Sequence, residues 1–185
     1  MSARLHNNVK SPFTRRVLLF FLLSCSFCLA QERMFPRGSL GPTGDLDEFK
    51  NRWYSGNLKA LQEPALYPMA KDKSIECYRF LWLRSFSHPI SVRLSHHGKD
   101  EWILKLKIAG GAAGFHPHSL IEEETMHLRD ANIQEFLSQI DSLGFWKAPN
   151  PLLNDQVGTD GSQWIIEGVK DGNYHVIDRW SPKVE

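Results

Sequence analysis

The sequence predicts an α+β domain: an antiparallel meander sheet packed on one main helix, with a C-terminal β-hairpin and a short N-terminal helix. Three observations predict it. Between residues 78 and 108, apolar positions recur with period two in successive runs separated by short polar turns. Ile133, Phe136, Leu137, Ile140 and Leu143 fall on a single stripe of a 3.6-residue helix. Asp171-Gly172 divides two further β-runs, and Asp-Gly is a strong hairpin signal because both central positions of its turn need positive φ. Strands joined by short turns are antiparallel, and helices gathered on such a sheet define the class.

The chain opens on an address. Arg4, Lys10, Arg15 and Arg16 make a basic, acid-free start, followed by the apolar run Val17 to Leu23 and a small-residue exit through Cys28-Leu29-Ala30. This is the layout of a secretory signal peptide over residues 1–30. The fourteen residues from Val17 to Ala30 fall short of the about 20 that a bilayer-spanning helix needs. Cleavage after Ala30 leaves Gln31 as the new N-terminus. Two other export readings stand beside it. Leu22-Leu23-Ser24-Cys25 resembles a lipobox that would lipidate Cys25, though the apolar residues from Phe27 to Ala30 are unlike a polar tether. Arg15-Arg16 loosely resembles a twin-arginine signal, but the very apolar run behind it suits general secretion. The expected location is the periplasm or the exterior, with a membrane-anchored lipoprotein as the alternative.

Removal of residues 1–30 leaves 18 basic against 21 acidic side chains, a net charge of −3. No global basic charge attracts nucleic acid, and no block of like charge forms a tail. About 155 residues remain, enough for one domain with its own core. Only Cys77 survives cleavage at Ala30, so no intrachain disulfide is possible. Cys77 lies in the apolar run Glu76 to Leu83 and reads as a small core residue.

Residues 31–45 hold Pro36-Arg37-Gly38 and Gly41-Pro42-Thr43-Gly44, the composition of a flexible leader, so the domain is placed at 46–185. Leu46, Phe49, Trp53, Tyr54, Leu58 and Leu61 then recur near helical spacing until Pro64 stops them. Tyr78 to Leu83 is apolar on both faces, as a central strand is. Ile90 to Leu94 and Trp102 to Ile108 alternate cleanly, with turns at Ser87-His88-Pro89 and His97-Gly98-Lys99-Asp100. Gly110 to Gly114 reads as a bulged or flexible turn before a strand over 119–128. In the helix over 132–143, Asn132 and Glu135 form a capping box and Gly144 is the stop. Residues 163–170 and 173–180 pair as the terminal hairpin, which sets Trp164 opposite Arg179, Ile166 opposite Ile177 and Gly168 opposite His175. In that register Ile166 and Ile177 point into the core, and Arg179 lies over the Trp164 ring as a cation–π pair.

Several clusters bear on chemistry. His96-His97 and His116-Pro117-His118 would give four imidazoles if both turns lay at one end of the meander, but no metal-ligand spacing is present, and no metal or other cofactor is expected. The glycine loop lacks the Lys-Ser/Thr of a phosphate loop and no helix follows it. Glu122-Glu123-Glu124 reads as a solvated, protected sheet edge. The hairpin carries the richest set: Trp164, Glu167, Tyr174, His175, Arg179 and Trp180, to which His116 and His118 are added as candidate binding residues. Glu167 and His175 fall on opposite faces in the predicted register, so an acid–base pair between them needs a register slip.

Trp53-Tyr54-Ser55 with Glu63-Pro64, the run Tyr78 to Arg84, and Asp160-Gly161 through Tyr174-His175 to Arg179-Trp180-Ser181-Pro182 resemble an uncharacterised family of exported bacterial proteins, over about residues 47–182. The resemblance implies an envelope location and one domain, and brings no catalytic residues. The expected function is a non-catalytic binding or accessory module whose partner is an envelope protein or a small ligand, with membrane contact only through a lipidated Cys25. An envelope hydrolase using His and Glu side chains, and a periplasmic inhibitor or immunity-type protein, are the alternatives.

Overall fold

The computed structural model describes residues 33–96, 101–150, 158 and 160–182. The export segment with Cys25 and Cys28, and His97, lie outside the described residues. The fold is α+β. Six strands, β1 (Cys77–Arg84), β2 (Ile90–His96), β3 (Glu101–Gly111), β4 (Pro117–Arg129), β5 (Ser162–Lys170) and β6 (Asn173–Trp180), form one sheet in the order β4-β3-β2-β1-β5-β6. Every neighbouring pair is antiparallel. Helix α1 (Gly44–Ala60) packs on one face and α2 (Asp130–Ser142) on the other. No described helix is long and apolar enough to cross a membrane.

Sequence pattern and position agree. β1, apolar on both faces, sits inside the sheet between β2 and β5. β4 is an edge, and Glu122, Glu123 and Glu124 are exposed along it opposite Ile108, Lys107 and Leu106. Lys105 Nζ lies 3.2 Å from Glu123 Oε1. A charged edge resists pairing with another chain. At the terminal turn, Asp171 has φ 52° and Gly172 φ 81°, the two positive angles a type I′ turn requires. The hairpin register is the expected one: Trp164 faces Arg179, Ile166 faces Ile177 and Gly168 faces His175.

The leader expected over 31–45 is, from Arg33 onward, part of the packed body. Met34, Phe35 and Leu40 are buried against Tyr54 and Leu58 of α1. The polar stripe of α1 explains why a Gly/Pro-rich stretch can pack. Asp47 Oδ1 accepts from Leu40 N at 2.9 Å, Asn51 Nδ2 donates to Phe35 O at 3.0 Å, and Ser55 Oγ accepts from Met34 N at 3.2 Å. These three residues recur every four positions and so lie on one helix face, where they satisfy the backbone of an extended segment that would otherwise be buried unpaired. Gly41 lets that segment close on the helix, because a side chain there would meet Asp47 N at 2.6 Å.

The start of α2 also differs from expectation. The helix begins at Asp130, directly after β4, and its N-cap position is Arg129, which makes no capping hydrogen bond through its side chain. β4 is long enough to run straight into the helix, so the turn that a cap at Asn132 presupposes does not exist. The other end is as expected: Gly144 takes φ 65° just past the helix.

Candidate functional site

The sheet face beneath α2 is nearly all apolar. It presents Tyr78, Phe80 and Trp82 from β1, Val92 and Leu94 from β2, Leu104 from β3 and Trp164 and Ile166 from β5. One helix of 13 residues is about 20 Å long and 10 Å wide, whereas six strands spread about 24 Å. The helix therefore covers only part of this face. Ile133, Leu94, Trp102 and Tyr78 close the packed end, where Phe136 and Trp146 meet the Tyr78 ring edge-on at 5.6 and 6.2 Å.

Beside this packed end lies a cleft of about 530 Å³. One wall is the sheet, through Phe80, Val92, Leu104, Trp164 and Ile166; the other is α2, through Ile133, Phe136 and Ile140. Phe80 and Trp164 meet edge-to-face at 5.4 Å and fix the floor. Arg79 borders the cleft, yet its guanidinium is engaged on the opposite face of the sheet. The Tyr78 hydroxyl donates to Glu76 at 2.9 Å. The chemistry on offer is thus apolar contact and ring stacking, with no acid–base pair among the described residues that line it.

The opposite face holds the charges. Arg79 Nε donates to Glu167 Oε2 at 2.7 Å and its Nη1 to Pro64 O at 2.7 Å, with a second contact from Nη2 to Glu167. Tyr174 Oη donates to Glu167 Oε1 at 2.9 Å. Glu63, just after α1, is met by Arg93 Nε at 2.8 Å, Lys107 Nζ at 3.4 Å and Arg79 Nη1 at 3.5 Å. Burial pushes the Glu167 carboxyl and the Tyr174 hydroxyl upward, and the neighbouring Arg79 charge offsets this only in part at Glu167. A second knot joins Asp178 to Lys50 Nζ at 2.9 Å, Tyr54 Oη at 3.0 Å and Gln163. Both knots fasten α1 and its flanks to the sheet. Cys77 lies among them, buried, its thiol pushed up by desolvation, as suits a core residue.

The residues singled out in the sequence are divided by this fold. Trp164 lines the cleft; His175 and Arg179 share its face but lie toward the β6 edge. Glu167, Tyr174 and Trp180 belong to the α1 face. Glu167 and His175 therefore do not meet. Arg179 does not cap Trp164: its guanidinium donates to Pro149 O at 2.8 Å and to Asn150 Oδ1 at 3.2 Å, because the stretch after α2 passes beside β6. The cation–π contact found among the described residues is Arg84 over Trp82 at 4.3 Å. Ile166 faces the cleft, whereas its neighbour Ile165 is fully buried, together with Glu167 and Val169, on the other face of the hairpin.

His96 ends β2 and stacks near Trp102 at 4.8 Å, whereas His116 and His118 flank the start of β4. Eleven residues of β3 separate those two turns, about 33 Å, because successive hairpins alternate ends of a meander. His96 therefore cannot meet His116 and His118. Among the described residues no group of three or more His, Cys, Asp or Glu side chains is placed to hold a metal ion. The cleft itself was missed in the sequence. Its signal was an apolar surplus on the one face that carries Tyr78, Phe80 and Trp82 of β1 with Trp164 and Ile166 of β5, beside a single helix too small to cover it.

His175 packs against Phe145 edge-on at 5.1 Å. Burial, aided by the Arg179 charge, lowers its pKa below the ordinary 6.5. The unfolded chain then binds more protons than the folded one below that value, so stability present above about pH 6.5 is lost as pH falls through the folded pKa. Through His175 the melting temperature is expected to fall between pH 7.5 and 5, against the opposite pull of the buried Glu167 and Asp178 carboxyls, and His175→Phe should remove that fall. An unchanged slope in this variant would remove His175 as its cause.

The chain matches no protein-family model and no curated protein sequence.

Proposed function

We propose that this protein is a non-catalytic binding module of the bacterial envelope, exported through residues 1–30, that holds an apolar small molecule in the cleft between α2 and the sheet. One observation carries this reading: a two-walled cleft of about 530 Å³ lined by aliphatic and aromatic side chains, with its nearest charge turned away. Ligand pockets typically occupy about 300–1,000 Å³ and are mostly apolar. A flat protein partner would leave a concave space between helix and sheet unfilled, whereas a compact apolar molecule contacts both walls.

Titration with N-phenyl-1-naphthylamine, a small uncharged apolar fluorophore, tests the proposal. The probe is expected to saturate at one site and to quench Trp164. Val92→Trp places an indole in the space and should weaken binding at least tenfold without lowering the melting temperature, since it fills a cleft and leaves the core intact. Equal affinity in parent and variant would exclude the cleft as the site.

A further inference from the structure

At one end of the sheet the β1–β2 and β3–β4 turns each carry a phenylalanine that the fold leaves bare. Phe86 is 70% and Phe115 64% exposed, with ring centroids 5.7 Å apart. The turns are pinned to each other. Ala113 N donates to Ser87 O at 2.9 Å and Gly114 N to Ser85 O at 3.2 Å. Glycine permits that approach, because a side chain at 114 would meet the Ser85 carbonyl oxygen at 2.8 Å. Behind the pair, Phe49 of α1 is 53% exposed, and Trp53 Nε1 donates to Ala113 O at 2.6 Å. Segments 85–89 and 110–118 contain three histidines and no carboxylate.

We propose that this Phe86–Phe115 tip inserts into a lipid membrane surface, independently of the cleft. Energetic centres of protein interfaces favour Trp, Tyr and Arg set in pockets. Here two plain apolar rings stand side by side on turn ends, held by backbone hydrogen bonds so that little ordering is needed on insertion. The two turns themselves bring no carboxylate to an anionic lipid surface; exposed Asp160 stands beside them, next to Gly161, whose carbonyl accepts from Ser85 N at 3.1 Å. Two rings give weak, reversible attachment.

The full chain is made with p-benzoyl-phenylalanine at position 86, at 115, or at exposed Lys71, which lies by the β5–β6 turn at the other end of the strands. Each is irradiated with vesicles of phosphatidylethanolamine and phosphatidylglycerol. Peptide mass spectrometry is expected to find phospholipid adducts at 86 and 115 at least tenfold above those at 71. Equal yields at the three positions, no lipid adduct at 86 and 115, or adducts there only to another copy of the chain would each overturn the proposal, the last in favour of a protein interface.

Discussion

Replacing Arg79 with alanine is expected to destabilise the protein by about 3–5 kcal/mol, or to prevent folding at 37 °C. The guanidinium is fully buried and is shared between Glu167, Glu63 and the Pro64 carbonyl. Without it, the Glu167 carboxylate keeps only the Tyr174 hydroxyl, in a site where desolvation already opposes its charge. Lys105→Ala is the comparison. That lysine reaches Glu123 at the exposed β4 edge, and such pairs contribute about 0–1 kcal/mol. Equilibrium urea denaturation of the two variants distinguishes them. Similar losses would mean that the buried cluster is no more than a surface-like pair.

Ile165→Ala and Ile166→Ala, adjacent in sequence, are expected to behave very differently. Ile165 is fully buried with Leu81, Tyr54, Leu58 and Val176, so its truncation leaves a closed cavity and should cost about 2–5 kcal/mol. Ile166 already borders open space beneath α2, so its loss is mainly transfer of a half-buried side chain, about 1–2 kcal/mol. The larger effect of the Ile166 change should appear in binding of the apolar probe. If Ile166→Ala proved the more destabilising of the two, the buried face of the hairpin would be the other one.

The proposed ligand chemistry follows from how the two sheet faces are covered. Arg33 to Pro64 spreads over one face with a long helix, an extended segment and two polar knots, and the pocket described there, beside Phe49 and Trp53, is about 260 Å³. The other face receives 13 residues of α2 and the short turn at Phe145–Lys147. The surplus apolar area lies alongside α2, and that is where the cleft opens.

The sequence by itself determined the elements and their local pairing. Period-two alternation, the single stripe of α2, Gly144 and the Asp171-Gly172 turn act within a few residues of one another, so they give strands, helix, stop and hairpin register without long-range information. It also implied that β4 is an edge, since three adjacent glutamates cannot sit inside a sheet. Tertiary structure decided the rest. Whether Gly/Pro-rich residues 33–43 pack depended on Asp47, Asn51 and Ser55 meeting their backbone from α1. Arg79 could be buried only because Glu63 and Glu167 arrive from 16 positions before and 88 after it in the chain. The histidine turns were parted by the alternation of hairpin ends, and the cleft by the mismatch between a narrow helix and a wide sheet. Period and turn chemistry are local properties; burial of a charge and coverage of a face depend on which distant segment arrives to meet them.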